Sequence, residues 1–168
     1  MKVPKTLDEF MGQALAFERE AAQRYTEFAD AMETHNNLEV AKLFRTMAEY
    51  ETKHAKQIMA AMGWAKAPAL PPGGWPSFEG PETVPFDEVH YLMQPWHALQ
   101  LALAAEQRAE AFFGELARST DSVSVRAAAL ELQAEEREHV ELVKAWIAKM
   151  PAPDRDWAHD PDPPRYID

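Results

Sequence analysis

Six side chains of metal-binding types recur at matching places in the two halves of the sequence. They are Glu18, Glu51, His54, Glu106, Glu136 and His139. In each half, one glutamate is followed about thirty residues later by a Glu-x-x-His segment. The three-residue step places the glutamate and the histidine on one helix face about one turn apart, so that the pair can share an ion. Carboxylates and imidazoles are ligands for hard ions such as iron or manganese, and zinc is also possible.

Apolar residues surround these side chains at helical spacing, and the spacing is the same in both halves. The series Met11, Ala14, Glu18, Ala21, Tyr25, Phe28 has the same steps as Leu99, Ala102, Glu106, Ala109, Phe113, Leu116. The series Val40, Phe44, Met47, Glu51, His54, Ile58 likewise matches Val125, Ala129, Leu132, Glu136, His139, Val143. Steps of three and four mark one helix face, and an apolar face points into the protein.

This register places four carboxylates in a predicted core. Each unpaired carboxylate there would cost several kcal/mol. Two divalent cations would balance the four negative charges and leave the neutral imidazoles as further ligands. The sequence therefore predicts a buried site for two metal ions.

Four long segments carry the helical pattern needed to position these side chains. We predict helices over residues 6–34, 38–62, 95–118 and 121–150, ended by features such as Gly63 and Pro151. The links after the first and third helices are short, which favours antiparallel hairpins. The fold class is therefore all-α, an antiparallel four-helix bundle with one long crossover between helices two and three.

The crossover, residues 64–94, is rich in proline and glycine. It cannot form one regular element, although we expect a short helix over residues 86–93, and Trp64, Trp75 and Trp96 are predicted to hold it against the bundle. We divide the chain into a bundle domain, residues 1–150, and a tail, residues 151–168. The tail is expected to be extended, and the sequence leaves open whether it docks on the bundle, on a second subunit or on a partner.

Composition excludes several classes of function. The net charge of −11 argues against binding to nucleic acid. The absence of cysteine excludes disulfides, thiolate nucleophiles, iron–sulfur clusters and sulfur-bound zinc. No run of apolar residues has the length of a membrane span, and the N-terminus lacks the apolar core of a secretory signal. We therefore expect a cytoplasmic protein without a membrane partner.

The ligand pattern resembles that of the rubrerythrin branch of the ferritin-like di-iron carboxylate superfamily. The matching stretches, within residues 7–150, are Glu18 to Tyr25, Glu51-Thr52-Lys53-His54, Glu106-Gln107-Arg108-Ala109 and Glu136-Arg137-Glu138-His139. The resemblance implies two iron ions as cofactors, with manganese or zinc as substitutes. It also implies that Glu51 and Glu136 bridge the metals, that Glu18 and Glu106 are terminal ligands, and that each histidine binds one metal.

The sequence departs from that family in three respects. Full-length rubrerythrins carry a cysteine-ligated rubredoxin-like domain, so this chain implies a separate electron-donor protein. Their extra glutamate one turn after the helix-three ligand is replaced by Ala109, and the neighbouring Glu110 is expected to lie off the face. A tyrosine is frequent at the position of Phe113, which leaves Tyr25 as the candidate to support the ligands by a hydrogen bond. Glu20 is expected on a solvated helix face.

Three functions fit this reading. The first is a di-iron oxidoreductase that reduces hydrogen peroxide or dioxygen at the buried site, as a peroxidase or ferroxidase that responds to oxidative stress. The alternative is an iron-binding protein for storage or delivery without significant turnover. The third is a non-redox bundle that holds zinc or no metal and recruits a partner through its tail. A homodimer is expected rather than a cage.

Overall fold

The structure, a computed structural model, describes residues 3–69 and 80–163. Its helices are α1 (Leu7–Thr34), α2 (Leu38–Met62), α3 (Pro95–Ser119) and α4 (Val123–Lys149). The prediction of an all-α four-helix bundle is confirmed, and every helix bound lies within two residues of the expected one.

Local chemistry at the helix ends explains these bounds. The side chains of Thr6 and Ser122 accept hydrogen bonds from the third amide of α1 and of α4, which satisfies donors that have no partner within the helix. Asn37 caps α2 in the same way. Gly63 ends α2 in the left-handed conformation, with φ of 66°, where glycine carries no Cβ penalty.

The helices pack as two hairpins, α1 with α2 and α3 with α4. The apolar core has two parts. One cluster joins Tyr25, Phe28, Phe44 and Leu99 with their neighbours. The other cluster joins apolar residues from the opposite half of the bundle, including Phe10, Phe17, Ile58, Phe113 and Leu132. The ligand candidates fall between these two clusters along every helix, so the core is interrupted by one polar layer.

The crossover contains less helix than the sequence predicts. In the described part of the crossover, only Phe86–Glu88 forms a helical turn, of the 3₁₀ type, and the expected helix over residues 86–93 is wrong because Val89 is already extended. The carbonyls of Tyr91 and Met93 accept hydrogen bonds from the Asn37 side chain instead of from a helix.

Two of the three crossover tryptophans lie in the described part of the chain. Trp64 packs against the second apolar cluster, as predicted. The Trp96 ring contacts His97 of its own helix, and Trp75 lies outside the described residues.

The described part of the tail docks on its own chain. The Trp157 ring lies 4.0 Å from the ring of His97, centre to centre. The Tyr91 hydroxyl donates to Asp160, and the Gln94 side chain donates to Asp154. Among the choices that the sequence left open, the structure shows docking on the bundle for residues up to 163. Across the described residues, no helix has the length and apolarity needed to cross a membrane.

Candidate metal centre

The six predicted ligands converge at the middle of the bundle. Glu18, Glu51 and His54 form one group with ligand atoms within 4.8 Å of one another, and the second group meets the same limit. The second group consists of Glu106, Glu136 and His139. The four glutamates are buried and the two histidines half-buried. Each hairpin thus supplies one three-residue group, as the sequence repeat predicts.

The histidines face the carboxylates through the same ring nitrogen in both groups. His54 Nδ1 lies 3.4 Å from a carboxylate oxygen of Glu51 and 3.6 Å from one of Glu18. The imidazole rings of His54 and His139 stack, with centroids 4.3 Å apart. The two groups therefore adjoin each other across the contact between α2 and α4.

His139 is held more closely than His54. Its Nδ1 lies 3.2 Å from Glu136 Oε2 and 3.5 Å from Glu106 Oε2. The distance to Glu136 is that of a hydrogen bond. A proton on the stacked pair therefore has its best acceptors on the His139 side.

A fifth carboxylate, which the sequence analysis did not find, enters the centre from the crossover. Glu82 is 1% exposed. Its oxygens complete two further groups, one with Glu18 and Glu136 and one with Glu51 and Glu106, again within 4.8 Å. No periodic pattern marks Glu82, because it lies in an irregular segment outside the helices.

The position of Glu20 corrects a second expectation. The sequence analysis placed it on a solvated helix face, but its carboxylate accepts hydrogen bonds from the Gly80 amide and the Thr83 hydroxyl. Glu110 does lie off the ligand face, where it pairs with Arg137 at 2.9 Å.

Comparisons with known proteins agree with this fold. The rubrerythrin family profile matches residues 9–67. An uncharacterized conserved protein of Magnetospirillum magnetotacticum MS-1 has a similar crystal structure, with 39% sequence identity and a TM-score of 0.65. That similarity covers 89% of this chain and 98% of the other. The chain belongs to the rubrerythrin branch of the ferritin-like superfamily.

A more distant likeness supports the fold alone. Rhodobacter capsulatus bacterioferritin, solved with heme iron and a metal-free dinuclear site, shares 23% identity at a TM-score of 0.55. The match covers 88% of this chain and 87% of that one. A search of curated proteins gave no match.

Burial shapes the acid–base state of this rubrerythrin-like centre. It raises the pKa of Glu18, Glu51 and Glu82 well above the usual range, and the neighbouring carboxylates raise it further. Burial likewise raises the pKa of Glu136 to about 8. Burial also acts on Glu106, but its hydrogen bonds with His139 and Glu136 outweigh it and lower the pKa.

The histidines differ although the repeat makes them equivalent. Burial and the nearby charge of His139 lower the pKa of His54 to about 4. Burial also opposes the charge on His139, but hydrogen bonds to Glu106 and Glu136 raise its pKa to about 10. The protein without cations would therefore carry several protons in the centre.

The residues present fit a pair of cations. Several buried polar atoms find no hydrogen-bonding donor or acceptor among the described residues: Glu18 Oε2, Tyr25 Oη, Glu51 Oε2, His54 Nδ1 and both Glu82 oxygens. Orphaned buried polar atoms are rare unless something else satisfies them. Two cations among these carboxylates would satisfy the oxygens and balance the charge, and the all-oxygen-and-nitrogen donor set suits iron.

A small cavity gives access to one side of the centre. Its volume is about 120 Å³, and both Glu18 and His54 line it. Ala128, Glu131 and Glu135 of α4 also contribute to its wall. The cavity beside the centre is therefore large enough to hold a metal ion or a small oxidant.

Proposed function

We propose that this protein holds two iron ions in the polar layer and uses them to reduce hydrogen peroxide or dioxygen to water. The convergence of two carboxylate–imidazole groups at the middle of a ferritin-like bundle carries the proposal. The access cavity supports it, because a small oxidant must reach the site.

The two iron ions, when bound, would supply two electrons, enough to convert one hydrogen peroxide and two protons into two waters. One dioxygen needs four electrons and four protons, so its reduction to water would use the two electrons of the iron pair twice, the second time after the electron donor has re-reduced the irons. The side chains of the chain perform the remaining tasks. Glu51 and Glu136, each 1% exposed, would bind both metals, as the family resemblance implies. His54 and His139 present Nδ1 to the carboxylates, and each would bind one metal.

The two apolar clusters keep bulk water away from the centre. They lie on either side of the polar layer, and they include the large side chains of Phe17 and Tyr25 on α1. A dry site strengthens every electrostatic interaction within it. Electrons for repeated turnover would come from a separate donor protein, since the chain has no cysteine for an iron–sulfur or rubredoxin centre.

The test begins with anaerobic protein that has been freed of metal and reloaded with ferrous iron. Hydrogen peroxide or air-saturated buffer is then added, and the absorbance of the ferric product is followed by stopped flow. We expect two irons per chain and a rapid absorbance change, with Glu49→Ala behaving as wild type and Glu51→Ala losing the paired site. Glu49 is a matched control because it is an exposed glutamate two residues earlier on the same helix.

The other outcomes are equally informative. Accumulation of many irons per chain would favour storage over turnover. No absorbance change with either oxidant would overturn the redox proposal. Two metals bound by Glu51→Ala with unchanged affinity would show that the ligand assignment is wrong.

A further inference from the structure

We propose that Glu82 is a fifth carboxylate ligand of the metal pair, delivered by the crossover and held in place by side chains of α1 and α3. This inference rests on the metal-binding part of the proposed function. It adds a ligand from outside the helices and assigns a task to residues 80–84, here called the Glu82 loop.

Glu82 lies close to carboxylates of both three-residue groups of candidate ligands. One of its triads combines Glu18 from the first group with Glu136 from the second. Its other triad combines Glu51 from the first group with Glu106 from the second. A side chain with an oxygen within 4.8 Å of carboxylates from both groups lies between these groups, where it could contact an ion held by either one.

A purely structural role for Glu82 leaves its two buried oxygens without hydrogen-bond partners among the described residues. The two arginines that contact the loop donate elsewhere: Arg24 to the carbonyl of Val84 and Arg108 to those of Pro81 and Thr83. A buried carboxylate needs a partner, and a metal ion between the two groups supplies one.

The loop is fastened to the bundle at close intervals. Glu20 accepts from the Gly80 amide and from the Thr83 hydroxyl, both at 2.7 Å. Arg108 donates to the carbonyls of Pro81 and Thr83 at 3.0 and 3.2 Å. These bonds flank Glu82 on both sides, so they fix where its side chain enters the bundle.

Gly80 explains why the loop can come so close to α1. A Cβ at this position would lie 2.9 Å from Cδ1 of Phe17, a buried ring. That distance is shorter than real Cβ contacts, so a larger residue would push the loop away from the helix. Glu20, Arg108 and Gly80 are therefore positioning residues for Glu82.

The fifth carboxylate changes the charge balance of the centre. Four carboxylates match the +4 charge of two divalent cations, whereas five leave a surplus negative charge. A surplus negative charge favours trivalent over divalent ions, because the attraction between a carboxylate and a cation grows with the charge of the cation. Glu82 should therefore stabilise the ferric pair relative to the ferrous pair.

The test compares Glu82→Gln with wild type and with Glu88→Gln, an exposed glutamate of the same crossover. Each protein is titrated with Co²⁺, whose visible spectrum reports the ligands. The iron-loaded proteins are then titrated potentiometrically with reduced mediator dyes, one electron per ferric ion. We expect Glu82→Gln to bind two Co²⁺ ions with a visible spectrum different from that of wild type. Its iron pair should favour the ferrous state at least tenfold more than the wild-type pair does, which corresponds to a rise of about 59 mV per electron in the reduction potential. Glu88→Gln should match wild type.

The positioning role is tested at Glu20 with a conservative variant. Glu20→Ala removes the acceptor of two loop bonds and should weaken Co²⁺ binding 10- to 100-fold, as loss of a group that orients a ligand does. Its cobalt spectrum should shift toward that of Glu82→Gln. Glu20→Gln keeps an acceptor oxygen and should restore the wild-type spectrum, which a general loss of stability would not do.

Each outcome separates this inference from the function on which it rests. A wild-type protein that binds no pair of Co²⁺ ions would overturn the proposed function and the role of Glu82 together. If the wild-type protein binds two Co²⁺ ions and Glu82→Gln has the same cobalt spectrum and the same reduction potential as wild type, only the role of Glu82 is overturned. An unchanged spectrum in Glu20→Ala would remove the positioning role.

Discussion

The pKa values of individual side chains in this centre differ from those of exposed side chains of the same type, because burial penalises the charged form. Glu136 has a pKa of about 8 and His139 a pKa of about 10. His54, stacked on His139, has a pKa of about 4. One proton on a stacked pair of imidazoles excludes a second, and the proton favours His139 because Glu136 and Glu106 accept from it. The centre without metal therefore holds protons that cations must displace.

The first prediction concerns those protons. Metal binding requires deprotonated carboxylates and neutral imidazoles. Because the pKa values of Glu136 and His139 lie above 7, both groups are protonated at pH 7 and lose their protons when metal enters. We expect more than one proton released per chain on loading with two Co²⁺ ions. Affinity should rise as pH increases from 6 to 8, since fewer protons then compete. A pH-indicator dye in weak buffer measures the release.

A variant provides the control for proton release. Glu136→Ala removes one of the protonated groups, so a chain that still binds metal should release fewer protons. Loading that releases no proton, with an affinity independent of pH, would contradict the prediction.

The second prediction concerns the Tyr25 hydroxyl. It is buried without a hydrogen-bond partner among the described residues, and its ring stacks on Phe44. Burial, followed by the charges of Glu106 and Glu51, raises its pKa well above the usual range. Removing an unsatisfied buried hydroxyl stabilises a protein by about 1–2 kcal/mol, so Tyr25→Phe should be more stable than wild type without metal.

The same variant should behave oppositely once metal is bound. If the hydroxyl supports a metal-bound carboxylate, its loss should weaken Co²⁺ binding about 10- to 100-fold. Thermal unfolding with and without Co²⁺ measures both effects, and Tyr50→Phe, at an exposed tyrosine, is the matched control. Equal changes in the two states would show that Tyr25 is an ordinary core residue.

At the scale of secondary structure, the helices were predictable and the crossover was not. The helix bounds follow from local features that the sequence displays, such as the Ser122 cap and the Gly63 terminus. The six candidate ligands followed from the same periodicity, because each shares a face with apolar residues. Glu82 reaches the centre because the Glu20 carboxylate accepts hydrogen bonds from Gly80, sixty residues away in the chain, and from Thr83, and no local pattern encodes such contacts.

The third prediction concerns Asn37, which joins a helix to the crossover. Its side-chain oxygen caps α2 at Val40, and its nitrogen donates to the carbonyls of Tyr91 and Met93. Asn37→Ala removes a cap worth about 1 kcal/mol and two further hydrogen bonds. We expect a loss of about 2–3 kcal/mol in the free energy of unfolding, measured by urea denaturation.

The matched control is Thr6→Ala at the start of α1. The Thr6 side chain accepts only the capping bond from Glu9, so its removal should cost about 1 kcal/mol. Equal losses in the two variants would show that the bonds from Asn37 to the crossover contribute nothing measurable.

Across the described residues, the whole bundle has a charged layer between two apolar clusters, and a small cavity reaches this layer. The tail docks near the start of α3, at His97 and Gln94. Glu106 lies nine residues beyond His97, which is about 14 Å along the helix axis. The described part of the tail therefore contributes no residue to the wall of the access cavity, which α1, α2 and α4 line. We expect metal and oxidant to share this cavity as their route to the centre.

The last prediction separates size from charge at the opening. Ala128 is half-buried in the cavity wall, whereas Glu131 and Glu135 are exposed there. Ala128→Leu should slow both Co²⁺ uptake and the oxidation of loaded iron by peroxide, because it narrows the passage for every solute. Glu131→Gln with Glu135→Gln should slow only the cation, since the lost charge attracted it. Stopped-flow absorbance measures both rates, and Ala127→Leu, on the exposed side of α4, is the control. Final stoichiometry should stay at two metals in every variant, and unchanged rates in Ala128→Leu would show that solutes enter by another path.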